Sequence, residues 1–102
     1  MPLFTVIGRD VANSLDARLA ARAAHLARLH TLQQAGQLVL AGPCPVDHHN
    51  PAAGFFGSVI VVDFADRAAL DAWLADEPYV HAGVYASVEV LPFRQVLPDH
   101  TL

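Results

Sequence analysis

The sequence predicts an α+β domain in which two helices cover one face of a four-stranded antiparallel sheet. Three observations lead to this prediction. The 102 residues are 54% hydrophobic and only 16% charged, which suits a packed core and excludes a disordered chain. Segments with strand and helix periodicity follow one another in the order βαββαβ. No repeat or linker interrupts them, so we expect residues 1–102 to form one domain.

The first half of the chain supplies two strands and the longer helix. Residues 2–8 are rich in β-branched and aromatic types and end at a glycine, which predicts a strand. Asn13 or Ser14 can act as the N-cap of a helix that ends near residue 35, just before another glycine. The predicted apolar stripe of this helix consists of Leu15, Leu19, Ala23, Leu26, Leu29 and Gln33. Residues 37–42 then predict the second strand.

The middle of the chain combines a long loop with the strongest strand pattern. Residues 43–54 contain three prolines and an Asn-Pro pair, which predict a loop. Because this loop is longer than a tight hairpin, we expect it to be a mobile flap over a site. Residues 55–64 are almost continuously apolar and predict the third strand.

The last third of the chain completes the order of elements. Asp66 can cap a short helix over residues 67–75, which a proline then interrupts. Residues 84–91 predict the last strand, and residues 93–97 are expected to extend it. Both helices on one face of such a sheet give the ferredoxin-like arrangement.

Both faces of the predicted sheet are apolar. Along residues 58–64, one face carries Ser58, Ile60, Val62 and Phe64, and the other carries Val59, Val61 and Asp63. An antiparallel sheet with one wet face should alternate apolar with polar residues. Because two helices cover one face only, we predict that a second copy of the chain covers the other. The expected partner is therefore the protein itself, in a homodimer closed sheet against sheet or in a higher oligomer.

Charge and composition exclude several classes of function. The net charge is −4 and the chain has no lysine, whereas a nucleic-acid-binding domain is normally basic, so we predict no nucleic-acid partner. The single cysteine, Cys44, cannot form an intrachain disulfide. We see no signal-peptide pattern and no apolar stretch long enough to span a membrane. These features predict a soluble, cytoplasmic protein without membrane contact.

The predicted loop contains the run Asp47-His48-His49-Asn50, which raises the question of a metal site. Two adjacent histidines rarely ligate one ion with good geometry, and no third ligand has a recognisable spacing. The glycines form no phosphate-binding fingerprint. We therefore predict neither a metal nor a cofactor.

Five segments, in the same order along the chain, resemble the YciI-like (YCII-related) family. They are RLAARAAHLARL at 18–29, LAGP at 40–43, GSVIV at 57–61, EPYVHAGVY at 77–85 and VLPFRQVLP at 90–98. The resemblance covers nearly the whole chain. It implies a ferredoxin-like α+β fold of the dimeric α+β barrel superfamily, which dimerises through its sheets.

The resemblance also implies a site. In the family, a histidine of the first helix pairs with an acidic residue just before a proline, and the matching positions here are His25 and Glu77. The family pattern has aspartate before that proline, so Glu77 is one methylene longer. The neighbouring Asp76 is the alternative acid.

The residues around His25 suggest what such a site binds. Arg18, Arg22 and His25 follow one another at helical spacing, and guanidinium groups suit an organic anion. Tyr79 and Tyr85 can add phenolic hydrogen bonds. A plainer interpretation is that His25 closes the edge of the core while the arginines are solvated.

We therefore predict a cofactor-independent isomerase or lyase that acts on a small anionic organic substrate. His25 transfers the proton, Glu77 or Asp76 orients it, and Arg22 with Arg18 holds the substrate carboxylate or an enolate-like intermediate. The alternative is a non-catalytic module of the same dimeric fold, which binds a small ligand or serves an assembly.

Overall fold

The computed structural model describes residues 2–99, which form four strands, three α-helices and one short 3₁₀ turn. The strands are β1 (Leu3–Asp10), β2 (Leu38–Pro45), β3 (Phe55–Asp63) and β4 (Tyr85–Phe93), and the helices are α1 (Leu15–Gln34), α2 (Arg67–Ala75) and α3 (Pro78–His81). The 3₁₀ turn covers Pro51–Ala53. All strand pairs are antiparallel in the order β2-β3-β1-β4. The predicted ferredoxin-like α+β fold is confirmed.

The core lies between one face of the sheet and the two longer helices. β1 and β3 contribute alternate residues, because successive strand residues point to opposite faces. The helices add leucines from α1 and α2. The buried cluster consists of Phe4, Val6, Leu29, Leu32, Ile60, Val62, Phe64 and Leu70.

The first strand is longer than predicted, because Gly8 does not end it. β1 continues to Asp10, and Gly8 pairs with Ser58 on one side and Val88 on the other. A Cβ at Gly8 would lie 2.5 Å from the ring of Tyr85. The glycine is required for this close approach and not for a turn.

The second strand is also longer than predicted, so the predicted loop over residues 43–54 is too long. β2 continues to Pro45, with Pro43 opposite Ser58 and Cys44 opposite Gly57. β2 is an edge strand, where a proline costs no ladder hydrogen bond if its nitrogen faces solvent. The irregular segment therefore covers residues 46–54, including the 3₁₀ turn.

The last strand extends past Pro92 as predicted, but less far. β4 ends at Phe93, so the part of the expected extension over residues 94–97 is wrong. Phe93 pairs with Leu3, the first residue of β1, and the chain beyond it has no neighbouring strand to bond. Pro78 does more than interrupt a helix, since it opens the additional short helix α3.

The buried face of α1 differs from the predicted stripe. Leu19 is 63% exposed, and Ala23 and Gln33 are exposed as well. The buried residues of this helix are Arg18, His25, Leu29 and Leu32. The prediction missed Arg18 and His25, because it assigned the buried face mainly from apolar residues.

The opposite face of the sheet is apolar, and the core residues of α1 and α2 do not pack against it. Thr5 of β1 lies beside Val61 of β3 and Leu91 of β4 on this face. Leu40, Leu91 and Phe93 are exposed there. Among residues 2–99, no helix has the length and apolar character needed to cross a membrane.

Candidate functional site

The structure brings His25 and Glu77 together. His25 of α1 points towards the sheet, and its Nδ1 lies 2.5 Å from Glu77 Oε1. Glu77 is only 2% exposed, and its second oxygen, Oε2, accepts the backbone N–H of Tyr79 at 2.6 Å. Both carboxylate oxygens therefore have a partner, which is what allows the group to be buried.

Local sequence explains why Glu77 faces inward. It is the N-cap of α3 and has extended backbone angles (φ −71°, ψ 123°), as expected for a residue before Pro78. Its carboxylate caps the amide of Tyr79 while it binds the ring of His25. The Glu77 side chain thus caps α3 after the turn that follows α2, and it connects α3 to α1.

The alternative acid lies elsewhere. Asp76 is the C-cap of α2 and is exposed, and its side chain takes no part in the His25 contact. The extra methylene of Glu77 spans the distance to the imidazole. The contact with His25 is therefore made by Glu77 and not by Asp76.

The ring of His25 stacks on the ring of Tyr79. The centroids lie 3.9 Å apart with an interplanar angle of 10°, and Tyr85 meets Tyr79 edge-on at 5.9 Å. Burial raises the pKa of Tyr79, against the opposing charges of Arg18 and Arg22. Burial also raises the pKa of Tyr85 to about 12. Both phenols are therefore neutral at pH 7.

Arg18 is buried in a polar network that involves two of its three guanidinium nitrogens. Its Nε and Nη2 donate to the two oxygens of Asp10 at 2.6 and 2.7 Å, and Nη2 also donates to Ser58 Oγ at 2.8 Å. Ser14 Oγ donates to Asp10 Oδ2 at 2.5 Å. Burial opposes the charge of Arg18, but the bond and the charge of Asp10 outweigh it, so its pKa is raised.

The network around Arg18 includes the N-cap residue of α1. That residue is Ser14, one of the two predicted, but its hydroxyl donates to Asp10 and makes no cap bond. Arg18 lines the cavity, with Nε and Nη2 occupied by Asp10 and Ser58. Asp10 and Ser58 were not predicted. The signal for Ser58 was a single hydroxyl on an otherwise apolar strand face, a position that demands a polar partner.

His25 lines a cavity of about 610 Å³ between α1 and strands β2 and β3. Arg18, Ser58 and Tyr79 line the same cavity from its inner wall. Arg22 also lines it and is exposed. The salt bridges within residues 2–99 do not involve Arg22, so its charge is available at the mouth of the cavity.

The predicted flap does not cover this cavity. None of residues 46–54 lines it, since the continuation of β2 carries that segment beyond the end of the site. His48 and His49 are exposed, and Asp47 accepts the backbone N–H of His49. Over the described range 2–99, no cluster of three His, Cys, Asp or Glu side chains is arranged to hold a metal ion.

The contact between His25 and Glu77 defines the protonation of the ring. A carboxylate only accepts hydrogen bonds, so we place the ring proton on Nδ1. The other nitrogen, Nε2, then carries the lone pair, and no hydrogen bond among the described residues occupies it. A histidine held this way can accept a proton from a molecule in the cavity.

Comparison with known proteins identifies the family of the chain. The model of the YCII-related domain family matches residues 2–94. The chain belongs to the YCII-related family. The predicted resemblance is thereby confirmed.

Curated relatives of this YCII-related chain share nearly half of its residues. Protein YciI of Escherichia coli O6:H1 (strain CFT073) is 48% identical over 96 residues, which cover 92% of this chain and 98% of the relative. An uncharacterized protein of Haemophilus influenzae (strain KW20) is 46% identical over 95 residues, which cover 91% and 97%. These relatives establish the family without assigning a reaction.

A solved structure shares the fold of this YCII-related chain. It is 5-chloro-2-hydroxyhydroquinone dehydrochlorinase from Burkholderia phenoliruptrix AC1100, in complex with 2,5-dihydroxybenzoquinone. The TM-score is 0.80, the identity is 24%, and the match covers 90% of this chain and 93% of the other. At this identity the likeness shows the fold alone.

Proposed function

We propose that this YCII-related protein is a cofactor-independent lyase or isomerase that moves a proton on a small anionic ring compound. The observation that carries the proposal is the His25–Glu77 pair, whose imidazole faces a cavity of about 610 Å³. A dehydrochlorinase with the same fold supports elimination as the reaction class by analogy.

In the proposed reaction His25 is the general base. Nε2 takes a proton from a substrate carbon next to a carbonyl, and the electron pair of that C–H bond forms an enolate. Glu77 accepts the Nδ1–H and stabilises the imidazolium. In a lyase the enolate expels a leaving group with its bonding pair, and the imidazolium of His25 gives its proton to that group or to solvent. In an isomerase His25 returns the proton to a different carbon.

The developing negative charge needs a donor, and Arg22 is the residue we assign. It lines the cavity one helical turn before His25, is exposed and lies outside the salt bridges described above. Tyr79 stacks under the imidazole and fixes its plane. Arg18 holds that wall in place through its two hydrogen bonds to Asp10.

The test is exchange of substrate C–H for deuterium in heavy water, followed by NMR, with a panel of cyclic enolisable acids and hydroxyquinones. We expect exchange with the unaltered protein. His25→Gln should reduce the rate by about 10²–10⁴-fold, and Glu77→Gln should reduce it as well, since proton transfer by a positioned side chain contributes on this scale. Circular dichroism and melting of each variant show whether the fold is retained.

His48→Gln is the matched control, because His48 is exposed and does not line the cavity. It should leave the rate unchanged. Full exchange in the His25→Gln variant would remove His25 as the base. Tight binding of panel compounds without any exchange would favour the non-catalytic binding module instead.

We also propose that two copies associate through the apolar sheet face that carries Leu40, Leu91 and Phe93. These side chains are exposed and lie on the face opposite the core. Large exposed apolar patches mark interaction surfaces, and a self-complementary patch gives a two-fold dimer. A cytoplasmic location suits such a protein, whose single Cys44 is free.

A further inference from the structure

The cavity is larger than a small ring compound requires. At about 30 Å³ for each non-hydrogen atom, the share of a water molecule in the liquid, a ten-atom compound needs no more than about 300 Å³. The cavity measures about 610 Å³. Roughly half of its volume is therefore unexplained by the proton-transfer site alone.

Part of the cavity lies beyond His25, between the second half of α1 and β2. Leu26, Leu29 and Leu38 line it, and Val39 and Ala41 face it from the edge strand. We call this part of the cavity, defined by these five residues, the apolar arm. Its far end is reached at Gln33 on α1, eight residues after His25, which corresponds to about 12 Å of helix rise.

Charge is confined to the other end. Arg18 and Arg22 are the charged side chains of the lining, and no acidic residue among the described ones lines it. Arg18 is neutralised by Asp10, which leaves Arg22 as the free cation. The free cation of the lining therefore lies at one end of the cavity. Beyond His25 the walls are mainly apolar, and His30 and Gln33 are the polar residues there.

One apolar side chain at the mouth of the arm is exposed to water. Val39 lines the cavity and is 42% exposed. Covering such area gains about 25 cal/mol for each Å² removed from water. A ligand that lies along the arm would supply that cover, while a compact ring held at His25 would not.

We infer that the ligand of this cavity is amphipathic, with an anionic head at Arg22 and His25 and an unbranched alkyl tail in the apolar arm. This inference rests on the proposed function for the position of the head. An extended chain advances about 3.5 Å for every three bonds, so an arm of about 12 Å takes a tail of roughly eight to ten carbons.

The probes are the sodium salts of straight-chain carboxylic acids from butanoate to dodecanoate, kept below micelle formation and titrated calorimetrically into the intact protein. Affinity should rise about two- to fourfold for each added methylene and stop rising near octanoate to decanoate. Octanol should bind more weakly than octanoate, because it lacks the charge that Arg22 recognises. A flat series, or one that continues to rise through dodecanoate, would overturn the inference.

Ala41→Leu places a larger side chain in the arm, and Ala86→Leu is the matched control. Both alanines are exposed on edge strands, but Ala86 lies on β4 and does not line the cavity. Ala41→Leu should weaken decanoate at least tenfold and leave butanoate unchanged. Ala86→Leu should change neither. Equal effects of the two variants would place the binding outside the arm and contradict the inference.

The two proposals can fail separately. Alkanoate binding involves no proton transfer. If affinity rises with chain length as expected but the His25→Gln variant retains full deuterium exchange, the proposed reaction is contradicted and the amphipathic ligand is supported. Conversely, His25-dependent exchange on a short ring compound with a flat alkanoate series would overturn the tail and keep the reaction.

Discussion

Half of the buried residues of α1 are polar. Arg18 and His25 are buried beside Leu29 and Leu32. Burying a charge is tolerated only when partners replace the lost water, and each of these side chains has an acidic partner at 2.5–2.6 Å. Hydrogen bonding therefore determines the buried face of α1 as much as hydropathy does. The candidate site lies on this buried face.

The Arg18–Asp10 pair predicts a large effect on stability. Asp10→Asn leaves a buried guanidinium without its counter-charge, which should cost about 3–5 kcal/mol in the free energy of unfolding. The matched control is Asp71→Asn, which breaks the Arg67–Asp71 pair, whose side chains are both 56% exposed. That change should cost at most about 0.5 kcal/mol. Urea unfolding measures both, and similar costs would mean that burial does not decide the value of the pair.

The two tyrosines predict a pH dependence. Burial raises the pKa of Tyr85 to about 12, whereas a free phenol titrates near pH 10. The folded state thus retains a proton that the unfolded state loses. This contribution to stability is complete below about pH 10 and disappears as the pH rises through about 12.

Ultraviolet absorbance of phenolate measures this titration directly, because the chain has only two tyrosines. In the native protein the last phenol should titrate near pH 12, and Tyr85→Phe should remove that late step. In denaturant both should titrate near pH 10. A native titration complete by pH 10.5, on the order of the free value, would show that the ring is not desolvated.

The site residues show how far single-sequence reasoning reaches. His25 and Glu77 were predicted because the resemblance to a family pairs those positions. Arg18 was predicted to hold the substrate, but its partners Asp10 and Ser58 were not predicted, since they come from two different strands. A contact across 40 positions leaves no local periodicity to detect.

Among the elements, those with local signals were predicted well. α2 covers residues 67–75 as predicted, and the Asp66 side chain accepts the amide of Ala69 as its cap. The ends of β1 and β2 were missed, because tertiary contacts decide them. β1 continues through Gly8 because the ring of Tyr85 packs closely against this glycine. β2 can include Pro43 because it is an edge strand.

The pairing of β1 with β3 predicts a sharp difference between two glycines. A Cβ at Gly57 would lie 2.0 Å from the carbonyl oxygen of Gly8, so Gly57→Ala must move one strand from the other. We expect a cost of about 2–3 kcal/mol, of the order seen for overpacking. At Gly42 a Cβ would meet nothing within 4 Å, so Gly42→Ala is the control and should change stability by less than about 0.5 kcal/mol.

Chemical unfolding of the two variants measures this difference. A destabilised but folded Gly57→Ala variant should also show altered near-ultraviolet circular dichroism, since Gly8 adjoins the ring of Tyr85. Equal stabilities for Gly57→Ala and Gly42→Ala would contradict the strand register described here.

At the scale of the whole molecule, the order of elements and the apolar character of both sheet faces could be predicted from the periodicity of apolar residues alone. The cavity was not, because it depends on how far α1 stands from β2. No residue pattern fixes that distance. The same limit applies to the loop over residues 46–54, which packs at the end of the sheet beside a second cavity and away from His25.

The sheet face that carries Leu91 predicts the oligomeric state. We expect light scattering to give twice the 10.9 kDa mass of one chain. Leu91→Glu puts a charge in the proposed interface and should yield monomers, because an unpaired buried charge costs several kcal/mol. Val80→Glu is the control, since Val80 is 41% exposed, as Leu91 is at 44%, but lies on α3. It should leave the dimer intact. Dissociation by both variants, or by neither, would mean that the sheet face is not where the copies meet, and the apolar residues there would then need another partner.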